Sequence, residues 1–397
     1  MTTLFENAII VHHDRIEATP LGFADGRVAA HVPVDAFCID LRDHLVYPGL
    51  INAHDHLQLN NIPPVPHTRP YPNSYAWIDQ FEGHRRDPNV AAAVAVPSAA
   101  RHWHGGLKNL LVGATTVAHH DPWHPVLEDP EFPVDLLRQF GWSHSLGLGA
   151  PRDGQTPRYG PYVLGSFAAT PAGQPWMIHL AEGTDDVAHA ELGQLDAIGC
   201  LAANTVLIHG VGLTHADIDR VIEVGASVVW CPASNLEMLG RTLDPHQLFD
   251  AGRLLLGTDS RLTGSRDLLD ELRVAAAHSD LSPSDLLRMV TADASRILGL
   301  TERGSLHVGQ HADCVIVRAS GDPYATLLGM DRRDIRVVVR GGMPVIGDPD
   351  FGEWFAHCGV DVLPVRLDGR PKLMARHVVL SDAMELERGL ETMSRTE

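Results

Sequence analysis

The chain has 397 residues, 44% apolar and 20% charged, with 31 basic against 50 acidic residues and a formal net charge of −19. A chain this long buries a large core without disulfide staples, and its composition is globular rather than disordered or fibrous. The acidic balance argues against tracking phosphate, so neither nucleic acid nor an anionic membrane surface is an expected partner.

The five cysteines (Cys38, Cys200, Cys231, Cys314, Cys358) are scattered and form no CxxC pair, which fits a reducing compartment. The opening MTTLFENAIIVHHD has no basic region ahead of an apolar core, so no secretory signal is expected. No apolar run approaches the ~18 residues of a membrane span. The expected location is the cytoplasm.

In chain order, residues 1–48 read as short strands and turns, with alternation over 4–11 and a turn at Gly26. Apolar strands are predicted at 45–53, 114–119, 143–149, 176–180, 205–209, 226–230 and 253–257. Helices are predicted at 90–112, 184–202, 214–224, 266–278 and 283–298, the last opening on Pro283 and Asp285. Such alternation argues for a parallel sheet covered by helices, and its extent over residues 49–304 suits a (β/α)8 barrel. Residues 305–318 read as a strand pair, and 335–346 as a hairpin turning at Gly341-Gly342. With residues 1–48 these two segments make one small β domain from both chain ends. Residues 347–397 read as a packed extension with charged helical pieces and a frayed end after about residue 390.

Four predicted strands end in metal-ligand residue types. The first ends at His54-Asp55-His56, where residues two apart share a face and Asp55 points away. Another ends at His179, with Glu182 three residues on. A third ends at His209, and a fourth runs into Asp259. In a barrel these ends gather on one face. Imidazoles and a carboxylate suit Zn²⁺, and Fe²⁺ nearly as well, with a position left for water. An ion there would bring that water to react near neutral pH. Asp259 can take the water's proton, Glu182 can give one to a substrate ring nitrogen, and His209 can steer the water or polarise a developing oxyanion.

The ordered set PGLINAHDH, HLAEG, VLIHG, CPASN and GTDS, followed by GSLHVGQHADCVIV, resembles the amidohydrolase superfamily. The branch it resembles holds guanine, cytosine and S-adenosylhomocysteine deaminases and chlorotriazine hydrolases. The resemblance covers roughly residues 4–346. It implies an α/β fold, a distorted TIM barrel with a β-sandwich built from both termini. By motif it implies His54, His56, His179 and Asp259 as metal ligands, and Glu182 and His209 as the proton-transfer pair. Binuclear members bridge two ions with a carboxylated lysine on the fourth strand. Here the two lysines, Lys108 and Lys372, fall in a helix and the tail, so one ion per chain is expected. The chain departs from the pattern in three places. Trp230 stands where members often carry a histidine, residues 150–175 are short and rich in Pro and Gly, and the loop after His56 matches no familiar substrate loop.

That loop supplies the expected substrate contacts. Gln58 and Asn60 offer amides for a heterocycle edge, while Tyr75 and Trp77 offer flat faces. His120, at the end of strand 114–119, is expected near the pocket. Ser234-Asn235 are expected behind it, orienting the residues that line it. The sequence therefore points to a mononuclear metal-dependent hydrolase that deaminates a small amino-substituted N-heterocycle, with a homodimer as the expected assembly. Ring opening of a cyclic amide, as in imidazolonepropionase-like members, is the alternative. A non-catalytic metal-binding protein is the lesser one.

Overall fold

The computed structural model describes residues 1–152 and 154–393. Two parallel sheets form the middle of the chain. One holds Leu50–Asp55, Ala114–His119 and Asp135–Leu136. The other holds, in order, Gly141–Ser145, Trp176–Leu180, Thr205–His209, Ser227–Trp230 and Leu254–Leu256. Most of these strands are buried along their whole length, as expected when a parallel sheet is covered on both faces.

Local signals start and stop the covering helices. Thr214 and Asp217 form a capping box at the start of His215–Val224, and Gly225 ends it in the left-handed region at φ 81°. Asp267 caps Leu268–Ala277 by accepting from the Leu269 and Asp270 amides. The two sheets approach where the Asp259 amide donates to the His54 carbonyl at 3.1 Å. Gly257 permits that approach, because a Cβ there would lie 2.7 Å from His54 Cβ.

The remaining sheets join the chain ends. His44–Pro48 pairs antiparallel with Cys314–Arg318 in a nine-stranded sheet. A four-stranded sheet comprises Arg27–Ala29, Leu21–Ala24, Thr2–Glu6 and Phe37–Asp40. Phe5 from this sheet packs edge-on against Phe23 (4.9 Å) and Trp354 (5.3 Å), which ties the first residues to the last segment.

Several elements differ from the sequence expectation. The strand expected at 45–53 is two strands in different sheets, divided at Gly49, where a Cβ would meet Thr115 Oγ1 at 2.3 Å. The helix expected at 90–112 breaks into Pro88–Ala95 and Ser98–Leu110, because Pro97 forces Val96 out of the helical region to ψ 135°. The helix expected at 283–298 likewise divides into Pro283–Met289 and Ala292–Ile297. The strand expected at 143–149 becomes a helical turn from Leu146 onward. Of 305–318, only Cys314–Arg318 is a strand.

Among the described residues, the segment from 347 onward contributes strands as well as the expected helical pieces. Val362–Leu367, Arg370–Ala375 and Leu390–Thr392 extend the nine-stranded sheet beyond Met343–Gly347, and so cover an edge that would otherwise be open. Leu390–Thr392 is therefore paired where fraying was expected, and residues 394–397 lie outside the described residues. Among the described residues no helix is long and apolar enough to cross a membrane.

Candidate active site

The strand ends deliver the expected side chains to one place. The His54 and His56 rings lie 4.8 Å apart between centroids, and those of His54 and His179 4.9 Å. His56 Nε2 and His179 Nε2 approach to 3.2 Å. Asp259 Oδ1 is 3.7 Å from His56 Nε2 and 3.9 Å from His54 Nε2. Tight backbone turns aim the last members inward. His209 (φ 76°) and Asp259 (φ 53°) both hold left-handed conformations that non-glycine residues rarely adopt. Asp55 points to the other side, as the two-residue period requires, and meets the buried Lys108 amine at 2.9 Å.

The donor set fits a cation. Both ring nitrogens of His54 and the Nδ1 of His120 are buried without a partner among the described residues. Leaving such an atom unmet costs about 1–3 kcal/mol, and the two lone pairs among them, one on neutral His54 and the other on His120 Nδ1, call for an electron-pair acceptor. One ligand atom each from His54, His56 and Asp259 lies within 4.8 Å of the others, and the same holds for His54, His120 and His179.

Electrostatics agree. Burial holds His54, His120 and His179 well below the ordinary imidazole range, reinforced by the neighbouring histidines, so they are neutral and able to ligate. Burial also opposes charge on His56, but the Asp121 carboxylate 2.5 Å from its Nδ1 outweighs it and raises His56 to about 9. Asp259 is pulled down despite burial, by His56 and His209 and by the Ser234 hydroxyl at 2.7 Å. The site therefore favours positive charge at its centre.

Glu182 stands beside this cluster, its Oε1 3.4 Å from His209 Nε2. Burial pushes its carboxyl up, and the neighbouring Asp259 charge adds to the rise. His209 Nδ1 bonds the Asn235 side-chain oxygen at 2.8 Å. That oxygen only accepts, so the proton sits on Nδ1 and the Nε2 lone pair faces Glu182. Ser234 and Asn235 thus stand behind Asp259 and His209, the arrangement expected for this segment.

A cavity of about 320 Å³ opens onto His56, His179, Glu182, His209 and Asp259. Of the expected substrate contacts, Gln58 and Trp77 line it, with Gln58 Nε2 also donating to Asp121 at 2.6 Å. For the other three, the expected contact gives way to a different role. The Asn60 amide is engaged by Asp55 (2.9 Å), Lys108 (3.0 Å) and the Arg261 backbone amide (3.0 Å) behind the strand. The Tyr75 hydroxyl turns to Glu191 and to the Gly147 amide, on the far side of its helix. His120 is fully buried and does not reach the cavity wall. Trp230 is buried too, its indole donating to Thr242 at 2.7 Å, so it does not form the cavity floor.

Sequence reasoning missed several lining residues. Asp121 accepts from His56, Gln58 and the Tyr159 hydroxyl, and its place directly after His119-His120 at a strand end was the available signal. His144 lies in strand Gly141–Ser145 and Tyr159 in the Pro- and Gly-rich stretch after it, where periodicity is too short to place a side chain. His102 and His104 bond to the Ser98 carbonyl and to Glu387, away from the cluster.

Residues 163–345 match the family model described as the amidohydrolase family. The chain is 25% identical over 323 residues to a 5-methylthioadenosine/S-adenosylhomocysteine deaminase of Haloarcula marismortui, covering 70% of this chain and 74% of the relative. Its fold is similar to that of a zinc-bound adenosine deaminase from Xanthomonas campestris, with a TM-score of 0.68 and 21% identity over 90% of this chain and 97% of that one. A guanine deaminase from C. acetobutylicum with bound guanine superimposes with a TM-score of 0.65 at 17% identity, over 87% of this chain and 100% of that one.

Proposed function

We propose that the chain is a member of the amidohydrolase family, whose model its residues 163–345 match, and that it removes the amine of an amino-substituted N-heterocycle by hydrolysis. The observation that carries this reading is the raised carboxyl of Glu182, 3.4 Å from His209 Nε2 on a cavity wall shared with Asp259. His54, His56, His179 and Asp259 are the residues that would hold one divalent ion, Zn²⁺ with Fe²⁺ as the alternative. When bound, the ion supplies the Lewis acidity that makes water a nucleophile near neutral pH.

The chain's own residues do the rest. The indole of Trp77 and the amide of Gln58 hold the flat ring in the cavity. Glu182, whose carboxyl burial pushes up, gives a proton to the ring nitrogen next to the carbon that bears the amine. Asp259 takes the proton of the attacking water and passes it to the amine, which leaves as ammonia as its C–N bond breaks, while the added hydroxyl returns its proton to Glu182 and becomes the ring carbonyl. His209, fixed by Asn235, directs its Nε2 at the attacking water.

The deaminase names of the relatives favour this reading over ring opening. It takes the two parallel sheets as one distorted (β/α)8 barrel over residues 49–304. The sheets from 1–48 and 305–346, extended by the later strands, form a β-sandwich. A homodimer in the cytoplasm completes it, supported by unpaired cysteines and by the prevalence of twofold assemblies.

The test is ammonia release from a panel of purines, pyrimidines, pterins, triazines and nucleosides by the metal-replete protein. Release is expected with at least one ring class, and Glu182→Gln should lower it by about 10²–10⁴ with metal content unchanged. Near-normal turnover in that variant would sink the proton-transfer role. Ring-opened product without ammonia would move the assignment to cyclic amides.

A further inference from the structure

His120 has no part in the four-residue set above, and it does not reach the cavity. Yet it lies within the histidine cluster. Its ring stacks on His179 with centroids 4.5 Å apart and planes 11° apart, and meets His54 edge-on at 5.3 Å. Its Nε2 bonds the Ser143 main-chain carbonyl at 3.0 Å. A carbonyl only accepts, so Nε2 carries the hydrogen and Nδ1 is left as a bare lone pair. That Nδ1 is buried and has no partner among the described residues. One ring nitrogen from each of His54, His120 and His179 lies within 4.8 Å of the other two.

His179 Nε2 already meets His56 Nε2 at 3.2 Å, so the unmet lone pairs are one on His54 and the one on His120 Nδ1, and a cation accepts from both of these and from His179. We propose that His120 Nδ1 is a fifth protein ligand of the metal centre, added from the end of the second parallel strand. This rests on the metal-centre reading above. The ligand set then contains one more imidazole than the motifs imply. The Ser143 carbonyl fixes the ring in the tautomer that ligates, as partners behind metal-bound histidines do.

The test uses the full chain loaded with Co²⁺ or Zn²⁺. X-ray absorption on the wild type should count at least four imidazole nitrogens around the ion, and fewer would overturn the proposal. His120→Gln keeps a donor for the Ser143 carbonyl and removes Nδ1. With folding checked by circular dichroism, it should lose one imidazole from that count. It should also change the visible Co²⁺ absorption as coordination drops, and weaken Zn²⁺ binding at least about tenfold in chelator competition. An unchanged spectrum and affinity would overturn the proposal while leaving the four-residue centre standing. A wild type that binds no metal would overturn both.

Discussion

The inner wall of the site leans on an ion pair that the sequence does not advertise. Lys108 and Asp55 are both fully buried and 2.9 Å apart. Asp55 also accepts from Asn109 (2.8 Å) and Asn60 (2.9 Å), and Lys108 donates to Asn60 (3.0 Å) and Thr258 (3.1 Å). This network joins the residue between His54 and His56 to the residue before Asp259. Lys108→Met keeps much of the volume but leaves the carboxylate facing neutral donors alone. Removing one partner of a buried pair costs about 3–5 kcal/mol. With an unfolding entropy of about 2.1 cal/mol/K per residue, that lowers Tm by about 4–6 °C for a chain of this length. In Lys108→Met with Asp55→Asn the charge disappears together with its partner, and most of the loss should return. Thermal melts followed by circular dichroism on the metal-free protein read both variants. A single variant within 1 °C of wild type, or a double variant whose losses simply add, would refute the argument.

Two further outcomes follow from the carboxylates. Glu271 is raised to about 8 by burial, with the Asp259 charge adding, against an ordinary value of 4.5. Its folded value lies above its unfolded one, so its contribution to stability is present below about pH 4.5 and is lost as the pH rises through about 8. Glu271→Gln copies the neutral form, so its Tm advantage over wild type should grow across that window and then level off; parallel Tm-against-pH curves would contradict this. Asp121→Asn removes the carboxylate 2.5 Å from His56 Nδ1, and should weaken metal binding by about 10–100-fold in chelator competition. Unchanged binding would show that Asp121 does not tune His56.

The alternation of strand and helix and the strands at 114–119, 176–180 and 205–209 were legible in the sequence, because apolar runs and period are local properties. The sequence also placed His54, His56, His179, His209 and Asp259 at or just past strand ends, with Glu182 in the loop after His179, and the parity of a strand sent Asp55 the other way. The divided helices turned on single residues such as Pro97, which a periodic pattern averages over. Tertiary structure alone decided which loop residues face the cavity. Gln58 and Asn60 are two apart on a tight turn, and Asp55, Lys108 and the Arg261 amide together hold Asn60 away from the cavity. It alone seated Asp121 against His56, because that contact joins residues 65 apart. It also turned the last segment into edge strands of a sheet begun by the first residues, since edge pairing depends on what the rest of the chain leaves open.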